Sequence, residues 1–222
     1  AVARTRRSTV HHRYTHTDDL FDSYAYSRGA SVLHMIRGLI GDSLWWASVN
    51  SYVTDYYARN VETVDLKREI EATTGRDMDW FFNQWIYRGG HPELSVTSEY
   101  DDDQGMLTVA VEQTQTVDEV TPLFRIPLEV EWISGRERGR TTFEITGANS
   151  TFYWPIEEKP DYVLIDPDGW LLADIEYKPS TSALLKQALD MDRVLARRTA
   201  IIQLGERPKS DEIVAALSQA LR

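Results

Sequence analysis

The chain has 222 residues, 42% of them hydrophobic, which is enough for one large domain or two small ones and for a buried core. A formal net charge of −11 argues against nucleic acid as the main partner, because phosphate binding asks for a basic face. The lack of cysteine excludes disulfides, thiolate nucleophiles and cysteine zinc sites, and no apolar run approaches the ~20 residues that span a bilayer.

The opening AVARTRRSTVHHRYTH has no apolar signal-peptide core. The closing SDEIVAALSQALR reads as an amphipathic helix with no cap after it. Both ends read as cut, so a fragment of a longer protein is expected.

Up to about Pro92 the pattern is helical. Asp22 or Ser23 can cap a helix carrying Val32, Leu33, Ile36, Leu39 and Ile40, which Gly41 ends. Asp42 or Ser43 caps a second, with the stripe Trp45, Val49, Tyr52, Val53 and Tyr56. Thr63 opens a third, closed by Gly75, and MDWFFNQWIYRGGHP forms a fourth around Trp80, Phe81, Trp85 and Ile86. From Leu94 the period changes to two. LSVTSEYDDDQGMLTVAVEQ is a hairpin, followed by FRIPLEVEW, RTTFEIT, STFYWPI and DYVLIDPDGWLLADIEY at the spacing of an antiparallel sandwich. After Lys178 the chain turns helical again, as a HEAT-like pair with Pro208 between its helices. The expected organisation is multidomain α+β: a helical segment 1–93, a β-sandwich 94–178 and an incomplete helical segment 179–222.

Among candidate chemistries, His11, His12 and His16 have the i, i+4 spacing of a helical zinc pair, but H-E-x-x-H is absent and the setting is β-branched and polar. A solvated extended segment is the better reading. Asp101, Asp102 and Asp103 lack calcium-loop spacing and sit at a hairpin tip. No G-x-S-x-G elbow appears, and His34 reads as a satisfied, at least partly buried imidazole. Tyr24 and Tyr26 remain, in YAYSRG at the mouth of an apolar helix. A phenol there can donate to a developing oxyanion or can simply pack.

YAYSRGASVLHMIRGLIGD followed by NVETVDLKREIEATTGRDMDWFFNQWIYRGGHPELSV resembles the late catalytic-domain segment of M1-family zinc aminopeptidases over roughly residues 15 to 100. The shared pattern is tyrosine, any residue, a basic residue and glycine before an apolar helix, then T-x-D-L, then an aromatic helix closed by G-x-P. The resemblance implies the rear of a thermolysin-like catalytic domain. It also implies that Tyr26 donates its hydroxyl to the tetrahedral oxyanion formed when zinc-bound water attacks a peptide carbonyl. Arg28 stands where lysine is usual, Gly29 completes the motif, and Tyr24 is a candidate substrate contact. The family's H-E-x-x-H ligands, its further glutamate and its G-x-M-E-N strand do not occur here. The resemblance therefore implies zinc and peptide substrate in an intact parent, the missing upstream catalytic half as partner, and an isolated chain that binds no zinc and is inert. Rival expectations are a non-catalytic scaffold of the same fold, or a sugar- or peptide-binding sandwich using Trp132, Tyr153 and Trp154. A soluble protein is expected, with its compartment open.

Overall fold

The computed structural model of the chain describes residues 6–135, 137–190 and 192–220. Among the described residues the architecture is α+β, with seven α-helices and two β-sheets. The chain divides into two compact units. One holds the residues up to Pro92 with Gln115–Phe124 and Trp170–Ala173; the other holds Glu93–Thr114, Arg125–Gly169 and the residues from Asp174 onward.

In the first unit, helices α1 (Gly29–Ile40), α2 (Asp42–Asp55), α3 (Thr63–Thr74) and α4 (Asp79–Trp85) follow the expected order. Gly41, at φ +81°, breaks the chain between α1 and α2. The start of α3 is capped by Asp65, whose carboxylate accepts the Glu62 N–H at 2.9 Å. Helix α1 buries Val32, Met35, Ile36 and Ile40, and α4 buries Phe81, Phe82 and Trp85. The Trp85 ring packs 4.9 Å from that of Phe124, so the segment 115–124 completes this aromatic core.

Three expectations for these helices need correction. The α2 stripe is not buried as a whole: the helix turns small Ser48 inward and leaves Trp46 and Val53 exposed, and Tyr57 just beyond its end is exposed too. Leu33 of α1 is likewise partly exposed. His34 is also exposed, its ring lying against Trp170 at 4.5 Å.

In the second unit, strands β1 (Glu93–Asp101), β2 (Met106–Gln113), β3 (Ile126–Ser134), β4 (Glu137–Ile145), β5 (Asn149–Pro155), β6 (Tyr162–Ile165) and β7 (Asp174–Tyr177) form two sheets. Their orders are β5-β2-β1-β7 and β4-β3-β6. The hairpin register pairs Asp101 with Met106, and the Asp101 carboxylate accepts the N–H groups of Asp103 and Gln104 to shape its turn. Leu94, Val96, Leu107 and Val109 of one sheet are buried, as are Ile126, Leu128, Val130 and Ile145 of the other, in the manner of a sandwich core. Gly139 is paired with Trp132, and a Cβ there would lie 2.2 Å from the indole, so only glycine admits that ring.

The stretch DYVLIDPDGWLLADIEY does not act as one strand pair in one sheet. β6 joins β3 antiparallel, while β7 joins β1 parallel in the other sheet. Asp166 (φ +49°) and Gly169 (φ +67°) turn the chain sharply between them.

The first C-terminal helical stretch is also two helices rather than one. α5 (Thr181–Leu189) stops at Asp190, and α6 (Val194–Gly205) begins after Arg193, before α7 (Asp211–Ala220). Asp190 is drawn out of helical geometry by Arg138, 3.2 Å away on β4, and by the Tyr162 hydroxyl of β6. Leu184, Ala188, Ala200, Leu204 and Ile213 form the core shared by the three helices. Ala196 packs with Ile133, Tyr162 and Leu164 of the sheet.

Candidate functional site

The residues ahead of α1 do not simply extend it. Tyr24–Arg28 form a π-turn, in which the Arg28 N–H donates to the Ser23 carbonyl five residues back at 2.9 Å. Such turns insert one residue into a helix and recur at functional sites. Asp22 caps this one: its Oδ1 accepts the N–H groups of Tyr24 (2.9 Å) and Ala25 (3.0 Å).

Arg7, in the extended N-terminal segment, holds that cap. Its Nε donates to Asp22 Oδ2 at 3.0 Å, and its guanidinium lies over the Tyr24 ring, 5.0 Å from the centroid. Tyr24 is thus half-buried beneath a cation, whereas Tyr26 projects outward with 62% of its surface exposed. Among the described residues no hydrogen bond engages the Tyr26 hydroxyl. Beside it lies an apolar cavity of about 550 Å³, walled by Val10, Ala30, Leu33, Tyr52, Leu66 and Ile86. Burial, with help from the Asp65 carboxylate, pushes the Tyr52 phenol up from its ordinary value.

Arg28 points the other way. It is 8% exposed and donates to the carbonyls of Gly90 (2.6 Å), Trp85 (3.2 Å) and Arg88 (3.4 Å). Gly29 opens α1 directly behind it, with Thr9 Cγ2 the nearest side-chain atom to the place of its missing Cβ, at 3.8 Å. The motif residues therefore have different duties: Tyr26 is free, Tyr24 stacked and Arg28 anchored on the turn, and Gly29 follows it in ordinary contact with Thr9.

The other sequence candidates are not assembled into sites. His11, His12 and His16 belong to no metal-ready group among the described residues. The one such group, Glu71, Asp77 and Asp79, was not anticipated, and the Lys67 ammonium already bridges Glu71 and Asp79 within it. Asp101–Asp103 shape their turn. Trp132 and Trp154 pack edge-to-face at 5.9 Å, while Tyr153 between strand neighbours faces solvent, so the three form no shared platform. Arg7 was missed because nothing in its local sequence signals a partner fifteen residues on. Asp22 carried a signal, as a cap.

The Asp22 geometry predicts a pH dependence. The Arg7 hydrogen bond holds its carboxyl below the ordinary range, against the opposing effect of burial and with help from the Ala25 and Tyr24 N–H groups. A depressed carboxylate stabilises the fold fully above its unfolded value of about 4, and that stabilisation is lost as pH falls through the folded value. Amide protection of Tyr24–Arg28, corrected for intrinsic exchange, should therefore decline as pH falls below about 4, and Asp22→Asn should remove the decline. Constant protection down to pH 2 would show that the cap is dispensable.

The sequence profile of the peptidase family M1 domain matches residues 2–85, the stretch that contains the whole π-turn and α1 to α4. Residues 2–85 thus carry a segment similar to the peptidase family M1 domain. Among relatives, it is 24% identical over 177 residues to aminopeptidase A of Gloydius brevicauda, covering 78% of this chain and 18% of that protein. It is 30% identical over 87 residues to aminopeptidase M1-C of Oryza sativa subsp. japonica, covering 39% of this chain and 10% of that one. With aminopeptidase N of Lactococcus lactis subsp. lactis it shares 27% identity over 128 residues, 56% of this chain and 15% of the relative. The chain thus spans less than a fifth of the length of these M1 relatives. The fold is similar to that of the crystal structure of Legionella pneumophila aminopeptidase A in complex with aspartic acid. That likeness has a TM-score of 0.77 at 19% identity, over 96% of this chain and 26% of the other. No helix among the described residues is long and apolar enough to cross a membrane.

Proposed function

We propose that this chain is part of a zinc-dependent M1 aminopeptidase that removes N-terminal residues from peptides, and that Tyr26 is its oxyanion-stabilising donor. The chain would supply the rear of the catalytic domain, a β-sandwich and the beginning of a HEAT-like helical array. The observation that carries the reading is the contrast within the π-turn. Arg28 and Tyr24 are tied down, while Tyr26 is held at the surface with its hydroxyl unengaged, beside an apolar cavity. A fixed backbone with a free donor is what preorganised transition-state stabilisation requires, since the donor must be spent on charge that develops only during reaction.

The described residues do not fit a catalytic zinc. Their one acidic cluster offers three carboxylates and no imidazole, and a lysine already neutralises it. In this reading the metal ligands lie outside the chain, and the chain alone is inert. Exposed Trp46 and Val53 line one surface groove on α2 together with Val49, and an apolar groove of this kind suits a covering protein partner. The fitting partner is the metal-bearing half of the catalytic domain.

The test joins this chain to the zinc-binding segment of an M1 relative and follows hydrolysis of aminoacyl-anilides. The chain alone, with zinc added, should give no turnover. In the joined protein Tyr26→Phe should lower kcat by about 10²–10³-fold, the cost of removing one oxyanion donor, and leave KM nearly unchanged. Equal kcat in the two proteins would eliminate the assignment.

A further inference from the structure

The Arg28 side chain is a charged group buried in the helical unit whose partners are backbone carbonyls rather than a carboxylate. Those carbonyls belong to the last turn of α4 and the loop just past it, where helix geometry leaves acceptors without N–H partners and the helix dipole is negative. A planar guanidinium can serve several such acceptors at once because its donors are set in a rigid fork.

The acceptors are themselves immobilised. A Cβ on Gly89 would fall 1.7 Å from the Arg6 carbonyl oxygen, and one on Gly90, at φ +72°, would fall 2.3 Å from Thr121 Oγ1. The Gly89 N–H donates to the Val120 carbonyl at 3.2 Å, and Arg6 donates to Thr121 at 3.1 Å and Asp118 at 2.6 Å. The loop after α4 is therefore wedged between two other segments of the same unit, with no room to shift by a side chain's width.

Tyr26 lies two residues before Arg28 inside a turn that the Arg28 N–H closes. With no side-chain hydrogen bond of its own among the described residues, Tyr26 inherits its position from the backbone. The nearest ring contact, with Phe21 at 6.3 Å, is to another exposed side chain and cannot fix it. We infer that Arg28 is a positioning residue for Tyr26: its guanidinium locks the π-turn to the loop after α4 and so sets where the phenol hydroxyl is presented. The inference rests on the reading of Tyr26 as the oxyanion donor. A misplacement of about 1 Å in such a group costs about 10²-fold in rate, which is why a remote carbonyl clamp matters to chemistry.

The test has two arms. In the 222-residue chain, Arg28→Met should speed hydrogen exchange at the Tyr26 and Arg28 amides by about tenfold, Arg28→Lys by less, and neither should alter exchange in β1–β7. In the protein joined to a zinc-binding segment, Arg28→Met should lower kcat at least about tenfold with KM within about twofold, and Arg28→Lys should recover part of the loss. On a Tyr26→Phe background, Arg28→Met should lower kcat no further, because it acts through the absent hydroxyl. Wild-type exchange in the turn of folded Arg28→Met, or a full additional kcat loss on the Tyr26→Phe background, would overturn the proposal. Should Arg28→Met not fold, Arg28→Lys carries both comparisons, since it keeps charge and reach. If Tyr26→Phe leaves kcat unchanged, the oxyanion reading fails, and the exchange arm still decides whether Arg28 holds the turn.

Discussion

Replacing Trp85 with alanine should destabilise the helical unit by about 3–5 kcal/mol, the range for removing a buried indole from a packed core. Trp85 is fully buried, and its ring meets Phe124 at 4.9 Å and Phe81 at 6.2 Å. The short helix α4 has seven residues, too few to stand on propensity, so its aromatic face holds it in place. The loss should extend beyond the cavity, because α4 ends in the carbonyls that Arg28 uses. Urea denaturation followed by near-ultraviolet circular dichroism would measure it, and Trp85→Phe, which keeps a ring, should lose markedly less. A cost below about 1 kcal/mol for Trp85→Ala would mean that the aromatic cluster is not what holds α4.

A comparable effect is expected in the other unit from Arg193→Met. Glu131 of β3 has 2% of its side chain exposed, and Arg193 reaches it from the start of α6 at 2.7 Å. Arg193 also lies 3.6 Å from Asp168, which pairs at 2.6 Å with Arg140, itself bound to Glu129. Removing Arg193 strands a carboxylate without its cation, a change that costs about 3–5 kcal/mol when one partner of a buried pair is lost. The double variant Glu131→Leu with Arg193→Met should recover most of that loss, since replacing both partners by apolar groups removes the desolvated charge. Melting temperatures of the three proteins at one pH would check this. A single variant as stable as the double would show that the pair contributes nothing.

Periodicity located the four helices of the first unit because each has a stripe and a stop, as Gly41 and Gly75 illustrate. It also located the strands, but not their partners. Nothing in the alternation of DIEY assigns β7 to lie parallel to β1 while its neighbour in sequence, β6, joins the other sheet. The break after Leu189 escaped notice because Arg138 and Tyr162, which pull Asp190 out of the helix, are 52 and 28 residues away. At the site, Tyr26, Arg28 and Gly29 were legible as a motif of resemblance. The division of labour among them was not, because it depends on carbonyls near residue 90 and on a cation at position 7.

The π-turn has one more consequence, for tolerance to insertion and deletion. An α-helix advances about 100° per residue, and a π-turn carries one residue more than a regular turn. Removing Ala25 would let the i→i−4 pattern run unbroken into α1, and the rest of α1 could keep its packing. The Ser23 carbonyl could then keep the same Arg28 N–H as an ordinary i→i−4 partner, so Asp22 and the residues before it need not move. The change would fall on the two tyrosines, which would become neighbours only about 100° apart around the axis. The surplus residue is therefore what separates one tyrosine under a cation from another facing out.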